Sequence, residues 1–265
     1  MSARFWGDLK SSDFAGLPAE STVAVLPLAA IEQHGPHLPV SVDTTVMNAM
    51  LALAMPLVPA ELDVLVLPTQ AICKSNEHLH SPGTLTLGWE TAIRSWIEIG
   101  ESVKRAGLRK LILVTSHGGN IDPAKIVARE LRVNHGMVAV NTAWTAFGLP
   151  PGLYGDLDAH HGIHAGDIET SLMLYFRPDL VDMSKAALFK PRTVEMAEEG
   201  YSWLRPTGLH AMAWMAQDIH PSGAAGDASL ATAEKGKATA EHQAKGFVEL
   251  LADVARFPLD NLHRA

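Results

Sequence analysis

The chain has 265 residues, 47% of them hydrophobic, and a formal charge of −8 at pH 7, so it can bury a full core and is read as one globular domain over residues 1–265. That acidic balance leaves no basic stripe for nucleic acid, and the longest apolar stretches, such as residues 51–60, are too short and proline-broken to span a bilayer. An opening (MSARFWGDLK) without the apolar segment of a signal peptide, and a single cysteine, Cys73, fit a reducing, cytoplasmic setting with no intramolecular disulfide.

Along the chain, an apolar run over 22–28 reads as a buried strand and the pattern over 43–55 as a helix. A second strand over 63–69 precedes a helix over 89–107, and a third over 110–116 precedes one over 122–136. In that last helix Asp122 reads as the N-cap, Pro123 as the first helical residue and Gly136 as the residue just past the end. A fourth strand follows over 137–143. All four runs are apolar on both alternating faces, as strands covered on two sides are. The alternation predicts an α/β fold, a mostly parallel sheet with helices on both faces. Beyond residue 145 the chain turns proline- and glycine-rich, then reads as a helix over 167–176 and a long alanine-rich helix over about 227–255. No internal repeat or low-complexity segment interrupts it.

The polar residues concentrate where strands end. In AIEQHGPHLPVSVDTT, Glu32 and His34 lie two positions apart, on one side if the strand runs on, and Asp43 returns a carboxylate at the start of the next helix. Such donors suit zinc, manganese or iron better than calcium. The alternative is that Glu32 and His34 brace a tight loop and Asp43 merely caps a helix. The sequence SHGGN puts His117 at the end of another strand, with Gly118 and Gly119 allowing close backbone approach. It lacks the lysine and spacing of a phosphate loop. In HHGIHAGDIETS, Glu169 falls in the first turn of a helix, where a carboxylate also merely complements the dipole. The spacing of His160, His161 and His164 on a glycine-containing loop is not diagnostic. Glu32, Asp43 and Glu169 together bring three negative charges: one divalent ion leaves −1, two leave +1, which a bridging hydroxide neutralises. Two ions are therefore expected, with Asp43 the natural bridge. Ser75 and His80 lie in a loop that also leaves a strand end, and Trp144 follows the fourth strand; with Asn120 they are candidates to face a substrate. Cys73 reads as a buried structural thiol.

The blocks LPLAAIEQHGPHLPVSVDT, SPGTLTL, SHGGN, HAGDIETSLML and GDASLATAEKG, spread from about residue 20 to 240, resemble those of the creatininase (creatinine amidohydrolase) family in the same order. The resemblance implies a three-layer α/β/α sandwich, a dinuclear metal site and hydrolysis of amide-like bonds. It further implies a homo-oligomer, with a hexamer favoured; the alanine-rich helix is one element that can supply its interface. Residue by residue, it implies that Glu32, His34, Asp43 and His117 are metal ligands and that His164 is catalytic. Creatinine-cleaving members carry a glutamate where this chain has Gly119, which leaves Glu169 as the fifth ligand. They also carry a tryptophan shortly before the catalytic histidine, where this chain reads GDLDAHHGIH, so creatinine is not the expected substrate. The function expected is cleavage of a C–N bond in a small cyclic or formyl amide by a metal-activated hydroxide, with zinc favoured and manganese or iron possible at the second site. Ring opening of a lactone or cyclic diketone, or metal binding without catalysis, are the alternatives.

Overall fold

A computed structural model describes residues 4–262. Its main sheet holds β1 (Arg4–Phe5), β2 (Val23–Leu28), β3 (Val64–Val66), β4 (Lys110–Thr115) and β5 (Val138–Ala143), all parallel, in the order β1-β3-β2-β4-β5. The helices are α1 (Val42–Ala54), α2 (Trp89–Arg105), α3 (Ile121–His135), α4 (Asp156–His161), α5 (Asp167–Phe176), α6 (Arg192–Glu198), α7 (Ala216–Ile219) and α8 (Ala233–Arg256). A small antiparallel pair, β6 (Leu188–Phe189) and β7 (Gly226–Asp227), lies apart from the sheet.

Both faces of the sheet are covered, which explains why the inner strands β2 and β3 carry apolar residues at every position. Val23, Val25, Val64, Val66, Ile112 and Val114 meet α1, α5 and α8 on one face. Ala24, Leu26, Leu28, Leu65, Leu111 and Leu113 meet α2 and α3 on the other. This is the expected α/β/α sandwich. Pro27 sits in the central strand although it has no N–H to give a ladder. Its carbonyl accepts from Gln70 N at 2.9 Å, so its missing donor faces β3, whose ladder with β2 has already ended at Val66.

The chain passes from β2 to β3 on one side of β2, then jumps to β4 on the other side. The segments leaving β2 and β4 therefore diverge onto opposite faces: α1 covers one and α3 the other. A crevice opens between two such neighbours, the usual place for a site in an open α/β sheet.

Several boundaries differ from the sequence reading. Asn120 occupies the N-cap of α3 without a side-chain cap, and Asp122 and Pro123 fall inside its first turn; Gly136 closes the helix at φ 64°, in the left-handed region glycine favours. The long helix begins at residue 233: Asp227 accepts from Ser229 N in a separate short turn, and Thr232 is the true cap, accepting from Lys235 N at 3.3 Å. The apolar face of α8, with Ala240, Ala244, Phe247 and Leu251 fully buried, is spent on the core of this chain and is not available as an oligomer interface. Among the described residues, no helix is long and apolar enough to cross a membrane.

Helix α8 packs tightly on α5, and Gly236 permits it: a Cβ there would stand 1.9 Å from the Ser171 carbonyl oxygen. Gly236→Ala gains about 1 kcal/mol of helix propensity and should lose about 1–3 kcal/mol to overpacking against backbone. Thermal unfolding should show a lower Tm; an unchanged or raised Tm would show that the two helices part easily.

Candidate metal centre

Glu32 and His34 follow β2, His117 is the second residue past β4, Asp43 the second of α1, and Glu169 lies in the first turn of α5. The main chain fixes how each histidine faces. His34 Nδ1 donates to the Glu32 carbonyl at 3.0 Å, which leaves Nε2 as a lone pair 3.7 Å from Asp43 Oδ2 and 3.8 Å from Glu169 Oε2. His117 Nε2 donates to the Lys74 carbonyl at 3.0 Å, which leaves Nδ1 3.1 Å from Glu32 Oε1.

Glu32 Oε1, His34 Nε2 and Asp43 Oδ2 are buried and have no hydrogen-bond partner among the described residues. Buried polar atoms are nearly always paired. Here three converge, which is the condition a cation relieves. The ligand atoms form two groups, Glu32–Asp43–His117 and His34–Asp43–Glu169, each with its atoms within 4.8 Å of one another. Asp43 belongs to both. A third group of Glu32, His34 and His164 overlaps them. The oxygen and nitrogen donors fit zinc, manganese or iron.

The electrostatics agree with that fit. Burial pushes the Asp43 carboxyl well above its ordinary range, and the charge of Glu32 adds to the effect. Burial works on Glu32 in the same direction, but His117 beside it holds that carboxyl well below the usual range. Burial also raises Glu169, and burial together with His164 lowers His34. Without a cation, the cluster is driven to take up protons to remove like charge.

His164 reaches the same place from the loop before α5. Its Nε2 donates to the Gln33 carbonyl at 2.6 Å, so Nδ1 is an acceptor, 3.8 Å from Glu32 Oε1. The ring packs between His34 and His78, with centroids 4.1 and 4.5 Å away, and its backbone pairs with Ala225. The next residue, Ala165, has φ 53°, a conformation that strains a residue with a side chain. Its N–H donates to Glu169 Oε2 at 2.5 Å. The kink turns His164 and Glu169 toward one centre.

Beside the centre lies a cavity of about 180 Å³, lined by Asp43, His117 and Glu169 and walled by Trp144, Ile163, Ile168 and Leu172. Trp144 stands in the wall, with Nε1 turned away to Met47 Sδ at 3.4 Å. Three other residues expected to face a substrate are placed differently. His80 is exposed and outside the cavity lining. Asn120 uses its amide on Ala29 O, Thr115 Oγ1 and Lys74 N, and so ties strand ends together. Ser75 Oγ donates to Glu32 Oε2 and braces a candidate ligand. His160 is exposed and His161 half-buried on α4. Cys73 is buried, which pushes its thiol up to about 12. Sequence reasoning missed Gln33, Glu77 and His78; the polar run KSNEH between a strand and a Pro-Gly turn was the available signal.

A family model for creatinine amidohydrolase matches residues 7–251. The chain belongs to the creatininase family. It is similar to a mycofactocin precursor peptide peptidase of Mycobacterium ulcerans, 31% identical over 236 residues, 87% of this chain and 85% of that one. It is also similar to a creatinine amidohydrolase of Pseudomonas putida, 30% identical over 210 residues, 71% of this chain and 78% of that one. A solved structure described as "Creatininase Mn" superposes with a TM-score of 0.72 at 26% identity, covering 97% of this chain and 100% of the other. The creatininase fold and a hydrolase of this family are thereby shown, and divalent metal binding is supported.

Glu169 is the ligand candidate that tests the set, since Gly119 brings no side chain to share its role. Glu169→Gln should lower the divalent-metal content and cost most of the hydrolytic activity. Helix α5 should persist, because glutamine is nearly as good a helix former. Elemental analysis together with circular dichroism reads both; full metal content in the variant would remove Glu169 from the ligand set.

Proposed function

We propose that this creatininase-family protein hydrolyses the C–N bond of a small, neutral amide, cyclic or formyl, using two divalent ions. Zinc is favoured, with manganese or iron at the second position. Glu32, Asp43 and His117 would hold one ion, and His34, Asp43 and Glu169 the other. The observation that carries the reading is the set of buried, unpartnered ligand atoms around Asp43, opening on a cavity. Bound there, the ions supply Lewis acidity, which lowers the pKa of water and polarises a carbonyl.

The chain's own residues do the remaining work. His164 keeps its Nε2 proton on the Gln33 carbonyl, so its Nδ1 lone pair is free to accept a proton and pass it to the leaving nitrogen. The Gln33 contact and the Ala225 pairing hold the ring in place while it does so. Trp144 and the isoleucines and leucine opposite exclude bulk water and receive an apolar part of the substrate. The cavity is smaller than the ~300–1,000 Å³ of drug-sized sites, and its lining holds no lysine or arginine to pair with a phosphate. Both facts favour a compact uncharged amide over a nucleotide. A peptide amide is the second reading, favoured by the likeness to the Mycobacterium ulcerans peptidase.

His164 separates a proton carrier from a ligand. His164→Asn should keep both ions and lower kcat by roughly 10²–10⁴-fold. KM should move much less, because the histidine acts mainly in the transition state. Steady-state kinetics on a panel of formyl amides, cyclic amides, lactones, diketones and short peptides, with metal analysis of each preparation, supplies the readout. Loss of an ion would make His164 a ligand, and an unchanged rate would remove it from the mechanism.

A further inference from the structure

The segment 74–78, between β3 and α2, takes no part in the proposed chemistry, yet four of its five residues touch ligand candidates. Its contacts fall on one half of the centre. Ser75 Oγ donates to Glu32 Oε2. The Gln33 side chain is oriented by backbone on both sides: Oε1 accepts from Gly35 N at 2.9 Å and Nε2 donates to Gly223 O at 3.0 Å. That same Nε2 must therefore be the donor toward His78 Nδ1, 2.8 Å away. The His78 proton then sits on Nε2, which faces Glu32 Oε1 at 3.4 Å, an electrostatic contact without hydrogen-bond alignment. His78 is 2% exposed, so bulk solvent does not reach that nitrogen.

His117 is held from the other end of the segment. Its Nε2 donates to the Lys74 carbonyl, and Glu77 Oε1 lies 3.1 Å from the same nitrogen. Lys74 Nζ in turn holds Glu77 Oε2. Gly119 makes this possible, since a Cβ there would stand 2.0 Å from Glu77 Oε1 and 2.4 Å from His117 Nε2. Only a residue without a side chain lets the carboxylate lie against the imidazole. By contrast, among the described residues the hydrogen bonds of His34 and Glu169 go to the main chain, the Glu32 carbonyl and the Ala165 N–H.

We propose that residues 74–78 are a positioning device dedicated to the Glu32–Asp43–His117 metal position, with Glu77 fixing the tautomer and ring of His117 while Ser75 and His78 fix Glu32. The proposal rests on the two-ion reading above. A carboxylate behind a metal-ligating histidine orients the ring and raises its basicity, and its loss typically costs 10- to 100-fold in metal affinity. The two positions therefore differ in their dependence on this turn.

The test is zinc titration of the metal-free full-length protein, followed by anomalous diffraction at sub-saturating zinc to assign each binding event to its position. Glu77→Gln keeps the side-chain shape and should weaken the Glu32–Asp43–His117 position by about 10- to 100-fold, leaving the other within about threefold. Ser75→Ala should weaken the same position, by less. Equal weakening at both positions, weakening at the other alone, or no change would overturn the proposal. A single zinc site in the unmodified protein would instead overturn the two-ion reading on which it stands, and is seen before any variant is measured.

Discussion

The structure turns on the placement of one carboxylate. Asp43 is buried in the first turn of α1 with an unpartnered oxygen, inside the reach of two further acidic side chains. A helix N-terminus helps a carboxylate by a fraction of a kcal/mol up to about 2 kcal/mol, which is small against the several kcal/mol of desolvating an ion. The remainder of the balance has to come from positive charge. Among the described residues no lysine or arginine lines the cavity at that point, and His34 Nε2 and His164 Nδ1 present lone pairs, their other nitrogens being committed to backbone carbonyls. A metal centre is the arrangement that satisfies all of these groups together.

The fold is arranged to deliver those groups. Strands β2 and β4 are neighbours whose following segments part onto opposite faces, so Glu32, His34 and His117 arrive at a shared crevice without competing for space. Asp43 and Glu169 come from the N-termini of α1 and α5, on the face those helices share with α8. The strained Ala165 and the pairing of His164 with Ala225 bring the last histidine in from outside the sheet. The apolar wall that includes Trp144 belongs to the same packed layer, which couples stability of the core to the shape of the cavity.

Much of this was legible in the sequence. The apolar runs at 22–28, 110–116 and 137–143 match strands to within a residue at each end; β2 and β4 are buried throughout, while the edge strand β5 is half-buried. The acidic and histidine residues at strand ends stood out because so few polar groups interrupt the core-forming pattern. Other features are set by contacts distant in sequence. Glu77 matters only because it lies against His117, forty residues on, across the gap at Gly119. His78 and His80 have the same side chain two positions apart, and only the turn buries one and exposes the other. Asn120 looked free for a ligand until three backbone and hydroxyl partners claimed its amide. Strand β1, two residues long, has no periodicity to detect.

The account's central claim is that Asp43 is shared between two divalent ions. Anomalous diffraction from metal-replete protein tests it most directly. The account predicts two peaks about 3.5–4 Å apart, one beside Glu32 and His117 and one beside His34 and Glu169, with Asp43 between them. A single fully occupied peak under the same conditions would contradict it.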